Sequence, residues 1–337
     1  MADGGRAARD QAIQAFLAGT GWGKAERRLL AGDASFRRYD RLRDGARRAV
    51  LMDAPPPQEN VRSFLAVARL LRAMGLSAPD VLGADETQGL VLLEDLGDDT
   101  YTRLLDRGAD PGGLYRPAVD LLIELQRRRP AGGLAELPAL DDARCLREVS
   151  LILDWYWPAM LGDPAPEPAR REFLAAWQAV LPLGRRVPEG FTHFDFHVDN
   201  LIWLADRTGV AACGLLDFQD AVRAPLPFDL MSLLQDARQD LDPALAAELY
   251  ERYLAAFPEL DRALFADAFA VFGAERHTRI LGTFTRLLKR DGKPAYLVHM
   301  PRVWRQLETA LARPVLAPVK AWFDRHLPPP WRGAPKA

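Results

Sequence analysis

The chain has 337 residues, 49% of them apolar and 27% charged, which suits a folded protein of about two domains and excludes disordered and small disulfide-stapled classes. Its 44 basic and 46 acidic residues leave a net charge of -2, which offers nucleic acid or an anionic membrane no general attraction. With two cysteines and no apolar run of about 18 residues, we expect a cytoplasmic protein, a monomer or weak dimer. We expect it to act on a small molecule and to bind neither nucleic acid nor membrane.

The first part of the chain predicts a small sheet with helices. Apolar spacing indicates a short helix at 11–17, and residues 35–42 and 47–53 have the pattern of a hairpin around a turn at 43–45. A helical stripe at 61–74 follows, and two more strands are predicted at 81–84 and 90–93. Together these elements indicate an antiparallel sheet packed with one long helix.

Beyond Gly97 the pattern changes to long helices. One strand pair, 201–204 and 211–218, interrupts them. The predicted fold class is therefore α+β, with a sheet-rich N-terminal lobe at 1–94 and a mostly helical C-terminal lobe at 95–337. The helices are predicted at 101–105, 113–128, 142–160, 170–181, 228–237, 243–257, 262–289 and 302–311.

The densest polar cluster, THFDFHVDN at 192–200, directly precedes the predicted strand 201–204. Asp217 ends the partner strand, so the hairpin should bring it close to Asn200. An amide oxygen and a carboxylate are ligands suited to Mg²⁺, which completes its coordination shell with water and phosphate oxygens. Asp195 can then face the same phosphate, where a residue that orients an attacking hydroxyl belongs.

The spacing His-x-Asp-x4-Asn followed by Asp resembles the catalytic core of the aminoglycoside phosphotransferase and choline kinase branch of the protein-kinase-like fold, over roughly residues 30–310. Four segments look more particularly like bacterial anomeric kinases of N-acetylmuramate and N-acetylglucosamine in cell-wall recycling. The resemblance implies a bilobal kinase-like fold, ATP and Mg²⁺ as cofactors, and phosphorylation of an anomeric hydroxyl. The segments are GDASFRRY (32–39), VLMDAP (50–55), LLEDLGD (92–98) and LLDFQDA (215–221).

The resemblance also implies roles for the residues of the cluster. Asp195 would be the catalytic base, and Asn200 and Asp217 the Mg²⁺ ligands. Other small alcohols, such as choline or aminoglycosides, remain alternative acceptors for the same machinery. A non-catalytic nucleotide-binding relative is the other alternative.

Residues around the catalytic loop carry further implications. His193 would fix the loop backbone, whereas Phe194 departs from the Arg of protein kinases and the usual Gly of aminoglycoside kinases. That departure argues against control by a phosphorylated activation loop. Asp229 is either the buried acceptor of hydrogen bonds from the loop or a simple helix N-cap.

The chain lacks the strand lysine that holds the α- and β-phosphates in most relatives. Met52 stands at that position, and no lysine occurs between Lys24 and Lys289. Either the chain is inactive, or Arg37 or Arg38 contacts the phosphates, since a guanidinium can bind phosphate through two N–H groups. Strand alternation turns at most one of these arginines toward the cleft, and a solvated strand face is the simpler alternative.

Other nucleotide contacts are predicted from position. Glu59 could pair with that arginine, although a helix start favours glutamate by itself. Ser35 can offer a hydroxyl and backbone donors to phosphate. The main chain of Glu94 and Leu96 would meet adenine with one acceptor and one donor.

Candidate acceptor contacts lie near the hairpin and on the last long helix. Arg223 is the first candidate for a lactyl carboxylate, and aromatic residues at 155–157 keep a choline-like cation possible. A metallohydrolase is not supported, because beyond the cluster only three histidines remain, all in helical or terminal segments. The other candidate contacts are His197, Asp199, Arg276, His277, Arg279 and Arg286, and a solvated helix face is the alternative for the arginines.

Overall fold

A computed structural model describes residues 2–32, 37–128, 134 and 136–336. Among the described helices, none combines the length and apolar character needed to cross a lipid bilayer. The strands are β1 (Glu26–Gly32), β2 (Arg38–Asp44), β3 (Arg47–Asp53), β4 (Val81–Asp85), β5 (Leu90–Leu93), β6 (Glu189–Thr192), β7 (Leu201–Trp203), β8 (Cys213–Leu215) and β9 (Val222–Pro225). The helices are α1 (Ala2–Gly19), α2 (Val61–Ala73), α3 (Tyr101–Asp106), α4 (Pro111–Arg127), α5 (Asp142–Val149), α6 (Trp157–Leu161), α7 (Glu167–Gly184), α8 (Pro227–Leu234), α9 (Pro243–Ala255), α10 (Arg262–Asp291), α11 (Met300–Leu311) and α12 (Ala317–His326).

Within the described residues, five antiparallel strands form a sheet in the order β1-β2-β3-β5-β4. Side chains alternate between its faces, so Leu51 and Leu92 share one face and pack with Ile13 and Leu17 of α1. β1 was not predicted, because its run of charged residues hides the alternation. The α+β class with an antiparallel sheet is confirmed.

The chain divides into two compact units. Unit 1 comprises Met1–Arg107 with Asp199–Asp220, and unit 2 comprises Gly108–Val198 with Ala221–Ala337. The hairpin of β7 and β8 belongs to unit 1 because its backbone bonds there: Leu215 N–H donates to Ser77 O at 2.8 Å and Trp203 N–H to Asp99 O at 2.8 Å. The sequence prediction had placed this hairpin with the helices, in a lobe that begins at residue 95.

Unit 2 is built around α10, which packs against α5, α7, α8 and α11. The single helix predicted at 142–160 is interrupted by a π-helical segment, Ile152–Tyr156. Pro158 explains the break, because a proline cannot donate to the carbonyl four residues earlier and its ring collides with that group. β6 and β9 were not predicted. They form a short antiparallel pair, in which β6 leads into the polar motif and β9 follows the β7–β8 hairpin.

Candidate active site

Unit 1 contains a cavity of about 320 Å³. Its walls are mostly apolar side chains of the sheet and of the β7–β8 hairpin, and its rim is the segment that follows β5. Such a cavity suits a flat, largely apolar group with polar atoms at one end. The lining residues are Leu30, Tyr39, Val50, Phe64, Pro79, Leu93, Glu94, Asp95, Leu96, Gly97, Asn200, Ile202, Leu216, Asp217 and Phe218.

Asn200 and Asp217 line this same cavity, at the ends of the hairpin strands. Leu216 N–H donates to the Asn200 carbonyl at 2.9 Å, and Asp217 has a left-handed backbone with φ 56°. Within the described residues, no group of three or more His, Cys, Asp or Glu side chains could hold a metal ion. An amide and a carboxylate oxygen in one cavity fit Mg²⁺, which binds through few protein ligands and keeps several waters.

Arg37 is the basic side chain that reaches Asp217. Its Nη1 lies 3.6 Å from Asp217 Oδ1, and its Nε lies 3.4 Å from Glu59 Oε2. The Arg37 side chain is only 11% exposed, whereas that of Arg38 is 48% exposed and pairs with Asp40 on its own strand at 3.1 Å. Arg37, directly before β2, and Arg38, its first residue, therefore point to different surroundings, and Arg37 is the one beside the candidate metal ligand.

The remaining predicted nucleotide contacts are placed as follows. Glu94 and Leu96 line the cavity, and the Glu94 side chain binds Arg207 at 2.5 Å and the N–H of Asp80 at 3.1 Å. The Glu94 N–H donates to Asp80 O, so its carbonyl is the group that the main chain can offer. Ser35 lies outside the described residues.

In unit 2 the loop that carries Asp195 is held by a buried carboxylate. Asp229, on the first turn of α8, accepts hydrogen bonds from the N–H groups of His193 at 2.6 Å and Phe194 at 3.0 Å. The Asp229 side chain does not cap α8. Its geometry is therefore that of the acceptor of loop hydrogen bonds and not that of a helix N-cap. Burial raises the pKa of Asp229 to about 7, and the two N–H donors oppose that rise.

A second buried carboxylate, Asp236, was missed from the sequence. It accepts from Val198 N–H at 3.2 Å and from Arg238 N–H at 2.8 Å, so the loop is anchored at both ends. In the helix predicted at 228–237 Asp236 repeats the face of Asp229, which was the available signal, but in the structure α8 ends at Leu234 and Asp236 follows it. His197, a predicted acceptor contact, is buried in this region, and burial holds its pKa well below the ordinary value.

Asp195 lies beside Arg279 of α10. Arg279 Nη2 is 3.7 Å from Asp195 Oδ1, and its Nε is 3.5 Å from Glu148 Oε2. Phe194 precedes Asp195 with φ 82°, and its ring stacks on Phe228 at 5.3 Å. A non-glycine residue in this backbone region persists only where its surroundings fix it, and the bonds to Asp229 and the ring packing do so.

A buried charged cluster adjoins Arg279. Both carboxylate oxygens of Glu275 lack a hydrogen-bond partner among the described residues. Burial raises the pKa of Glu275 to about 8, Glu148 adds to the rise, and Arg279, Arg276 and Arg144 oppose it. The next residue, Arg276, is also buried, and its Nε and Nη1 have no partner in the described ranges.

The other candidate acceptor contacts lie elsewhere. Arg223 pairs with Glu189 at 2.9 Å on the β6–β9 pair, and Asp199 accepts a hydrogen bond from Thr102 in unit 1. Arg286 has Arg290 and Asp291 as its charged neighbours. Only Arg276 and Arg279 of the three predicted helix arginines therefore belong to the surroundings of Asp195.

Comparison with known proteins gives a family. A model described as "Phosphotransferase enzyme family" matches residues 26–266. A protein of Caulobacter vibrioides named "N-acetylmuramate/N-acetylglucosamine kinase" is 40% identical, with 95% of this chain and 97% of that protein covered. A protein of the same name from Pseudomonas aeruginosa is 38% identical over 90% of each chain. The crystal structure of a choline/ethanolamine kinase family protein from Mesorhizobium loti matches with a TM-score of 0.62 at 16% identity, covering 93% of this chain and 99% of that one.

Proposed function

Because the chain belongs to the phosphotransferase enzyme family, we propose that it transfers the γ-phosphoryl group of ATP, with Mg²⁺, to the anomeric hydroxyl of N-acetylmuramate or N-acetylglucosamine. The family resemblance predicted from the sequence is confirmed, and the chain is a kinase. The choice of acceptor rests on two relatives that are 40% and 38% identical over nearly the whole chain. Both are named N-acetylmuramate/N-acetylglucosamine kinase.

Each unit supplies groups with a definable role. In unit 1 the cavity would bind the nucleotide, with Arg37 supplying the phosphate contact that a strand lysine makes in relatives. Asn200 and Asp217 would hold Mg²⁺, which when bound offsets the negative charge of the phosphates. Arg37 already lies within ion-pair distance of Asp217, so the loss of the strand lysine does not leave this cavity without a cation.

In unit 2 Asp195 would act as the base. It accepts the proton of the C1 hydroxyl as the hydroxyl oxygen bonds to the γ-phosphorus and the bond to the bridging oxygen breaks, releasing ADP. An anomeric hydroxyl is more acidic than other sugar hydroxyls because the ring oxygen withdraws electron density. The loop bonds to Asp229 and Asp236 keep Asp195 in place, so positioning supplies a large part of the rate acceleration.

A choline-like acceptor is the weaker candidate. Of the aromatic residues proposed for a cation cage, Tyr156 is buried and bonded to Trp331 O at 2.7 Å, and Trp157 is buried against Trp322. Arg276 and Arg279 lie in the surroundings of Asp195, and their charge would repel a cation.

The test is to supply ATP, Mg²⁺ and either the free sugars or their methyl glycosides, whose C1 hydroxyl is blocked. We expect phosphate on C1 of the free sugars, identified by phosphorus NMR, and no product from the glycosides. Phosphorylation of the glycosides at another hydroxyl would contradict the anomeric assignment. Turnover of choline or an aminoglycoside in place of both sugars would contradict the substrate class.

A further inference from the structure

Two arginines next to the catalytic loop of unit 2 have unused hydrogen-bonding capacity. Arg144 of α5 donates from Nε to Glu148 at 2.8 Å, but its terminal amino groups make no hydrogen bond within the described residues. Arg279 approaches Glu148 and Asp195 at 3.5 and 3.7 Å, beyond good hydrogen-bond distance. Both guanidiniums can therefore donate to a ligand.

The ring of Phe194 holds these two guanidiniums. The Cζ atoms of Arg144 and Arg279 lie 4.3 and 4.4 Å from the ring centroid, a cation–π distance. The ring stacks on Phe228, and the backbone N–H of Phe194 donates to the Asp229 carboxylate. The arginines are thus fixed before a ligand binds, which lowers the entropy lost on binding. This contact gives a structural reason for the aromatic residue at position 194.

The charge of the cluster favours an anion. The cluster contains the four guanidiniums of Arg144, Arg276, Arg279 and Arg238 and the three carboxylates of Glu148, Asp195 and Asp236, and the raised pKa of Glu275 leaves that side chain largely protonated at neutral pH. One guanidinium charge therefore remains without a carboxylate among these residues. A buried cation is costly unless an anion pairs with it, so this part of unit 2 is suited to an acidic ligand.

The two arginines and the proposed base are each partly accessible to solvent. The exposed fractions of the side chains are 25% for Arg144, 14% for Arg279 and 33% for Asp195. A sugar whose C1 hydroxyl contacts Asp195 would therefore present its other substituents near the arginines. In N-acetylmuramate the lactyl ether is on C3, two ring bonds from C1, and N-acetylglucosamine has a hydroxyl there instead.

We propose that Arg144 and Arg279 bind the lactyl carboxylate of N-acetylmuramate, an inference that rests on the proposed function. A guanidinium fork matches the two oxygens of a carboxylate. Arg223, the candidate from the sequence, is instead paired with Glu189. The acetamido group, which both sugars share, takes no part in this contact.

The experiment compares kcat/KM for N-acetylmuramate and N-acetylglucosamine in the wild type, Arg144→Gln, Arg144→Lys and Arg279→Gln. The control is Arg147→Gln, an exposed arginine on the same helix. In Arg144→Gln we expect the ratio of the two kcat/KM values to fall roughly ten- to hundredfold, the range for a charge-assisted hydrogen bond. Arg144→Lys should recover part of the ratio. Arg279→Gln should lower the ratio and also slow both sugars, because Arg279 lies beside Asp195.

A second readout does not depend on how the variants fold. The methyl ester of N-acetylmuramate lacks the charge, so its kcat/KM in the wild type should fall toward that of N-acetylglucosamine and should not respond specifically to Arg144→Gln. An unchanged ratio in both glutamine variants, or an ester as good as the acid, overturns this inference alone. Failure of the wild type to phosphorylate either sugar overturns the proposed function itself.

Discussion

At the scale of single residues, an arginine in unit 1 stands where the proposed function needs a cation for the phosphates. Met52 is buried between Tyr39 and Val91 in the sheet, so an apolar side chain suits that position. Arg37 supplies a charge from the residue before β2, where it is paired with Glu59. A guanidinium also keeps its charge at any pH the protein tolerates.

We predict that Arg37→Ala raises the KM for ATP by roughly ten- to hundredfold, because the charged hydrogen bonds to phosphate are lost. Arg37→Lys should recover part of the affinity, since the charge returns without the fork. The matched control is Arg38→Ala, which removes the adjacent, half-exposed arginine. Steady-state kinetics at saturating sugar measure the effect. Equal KM values for Arg37→Ala and Arg38→Ala would argue against the phosphate role.

Substitutions of Asp195 and Asp217 should affect different properties of the enzyme, the first kcat and the second nucleotide binding. We expect Asp195→Asn to lower kcat by a factor of order 10² or more and to keep its affinity for ATP, because only the proton acceptor is removed. We expect Asp217→Ala to lose the Mg²⁺-dependent part of nucleotide binding, as removal of Mg²⁺ with EDTA does in the wild type. Calorimetric titration with a non-hydrolysable ATP analogue separates the two. Similar losses of affinity in both variants would contradict these separate roles.

At the scale of elements, the sequence predicted those segments whose structure is determined by local features such as an apolar stripe and an N-cap. α2 has a regular apolar stripe, and its N-cap Asn60 accepts from Arg62 N–H, so its predicted start at Val61 is right. The single helix at 142–160 was wrong because Pro158 and the packing against α10 impose a π-helical segment. α12 also went unpredicted, so its contribution to the core of unit 2 could not be anticipated.

Close packing between α10 and the π-helical segment depends on a glycine. A Cβ at Gly282 would lie 2.4 Å from Leu151 C and 2.6 Å from Ile152 N, both backbone atoms. We therefore expect Gly282→Ala to lower the free energy of unfolding by about 1–3 kcal/mol, the usual cost of overpacking. Urea unfolding measures this change.

Gly273→Ala is the control on the same helix. Both substitutions gain the same helix propensity, about 1 kcal/mol. At Gly273 the nearest atom to the new Cβ is the side-chain oxygen of Gln235 at 3.0 Å, which can move slightly. A loss of stability as large in Gly273→Ala as in Gly282→Ala would mean that the contact with the π-helical segment is not the cause.

At the scale of the whole molecule, the site was predictable where its residues are close in sequence. Asp195, Asn200 and Asp217 could be proposed from the sequence because a motif and a predicted hairpin place them within a short stretch of chain. The residues that support Asp195 lie far away in sequence: Glu148 and Arg144 on α5, and Asp236 just after α8. No local pattern relates Arg144 and Glu148 to the loop, since only the tertiary fold brings α5 to it.

The pH dependence of folding should report on Glu275. Its pKa is near 4.5 when unfolded and about 8 in the folded chain, so between these values the folded state holds a proton that the unfolded state has released. The free energy of unfolding therefore falls as pH rises through this window. We expect the wild type to lose more stability than Glu275→Gln between about pH 5 and pH 8. Urea unfolding at each pH measures the loss.

The control for this prediction is Glu259→Gln, at an exposed position that should keep the slope of the wild type. Asp229 also has a raised pKa, but it is present in all three proteins, so the difference between them isolates Glu275. Parallel curves for the wild type and Glu275→Gln would show that Glu275 keeps an ordinary pKa in the folded chain.

The absence of lysine around the cavity of unit 1 has a consequence for chemical proteomics. Reactive nucleotide probes that acylate an amine identify kinases by labelling the lysine beside the phosphates. No lysine lies between Lys24 and Lys289, a range that includes every residue from Leu30 to Phe218 that lines the cavity. A guanidinium is a poor nucleophile because it stays protonated. A survey based on such probes would therefore pass over this enzyme even when it is abundant and active.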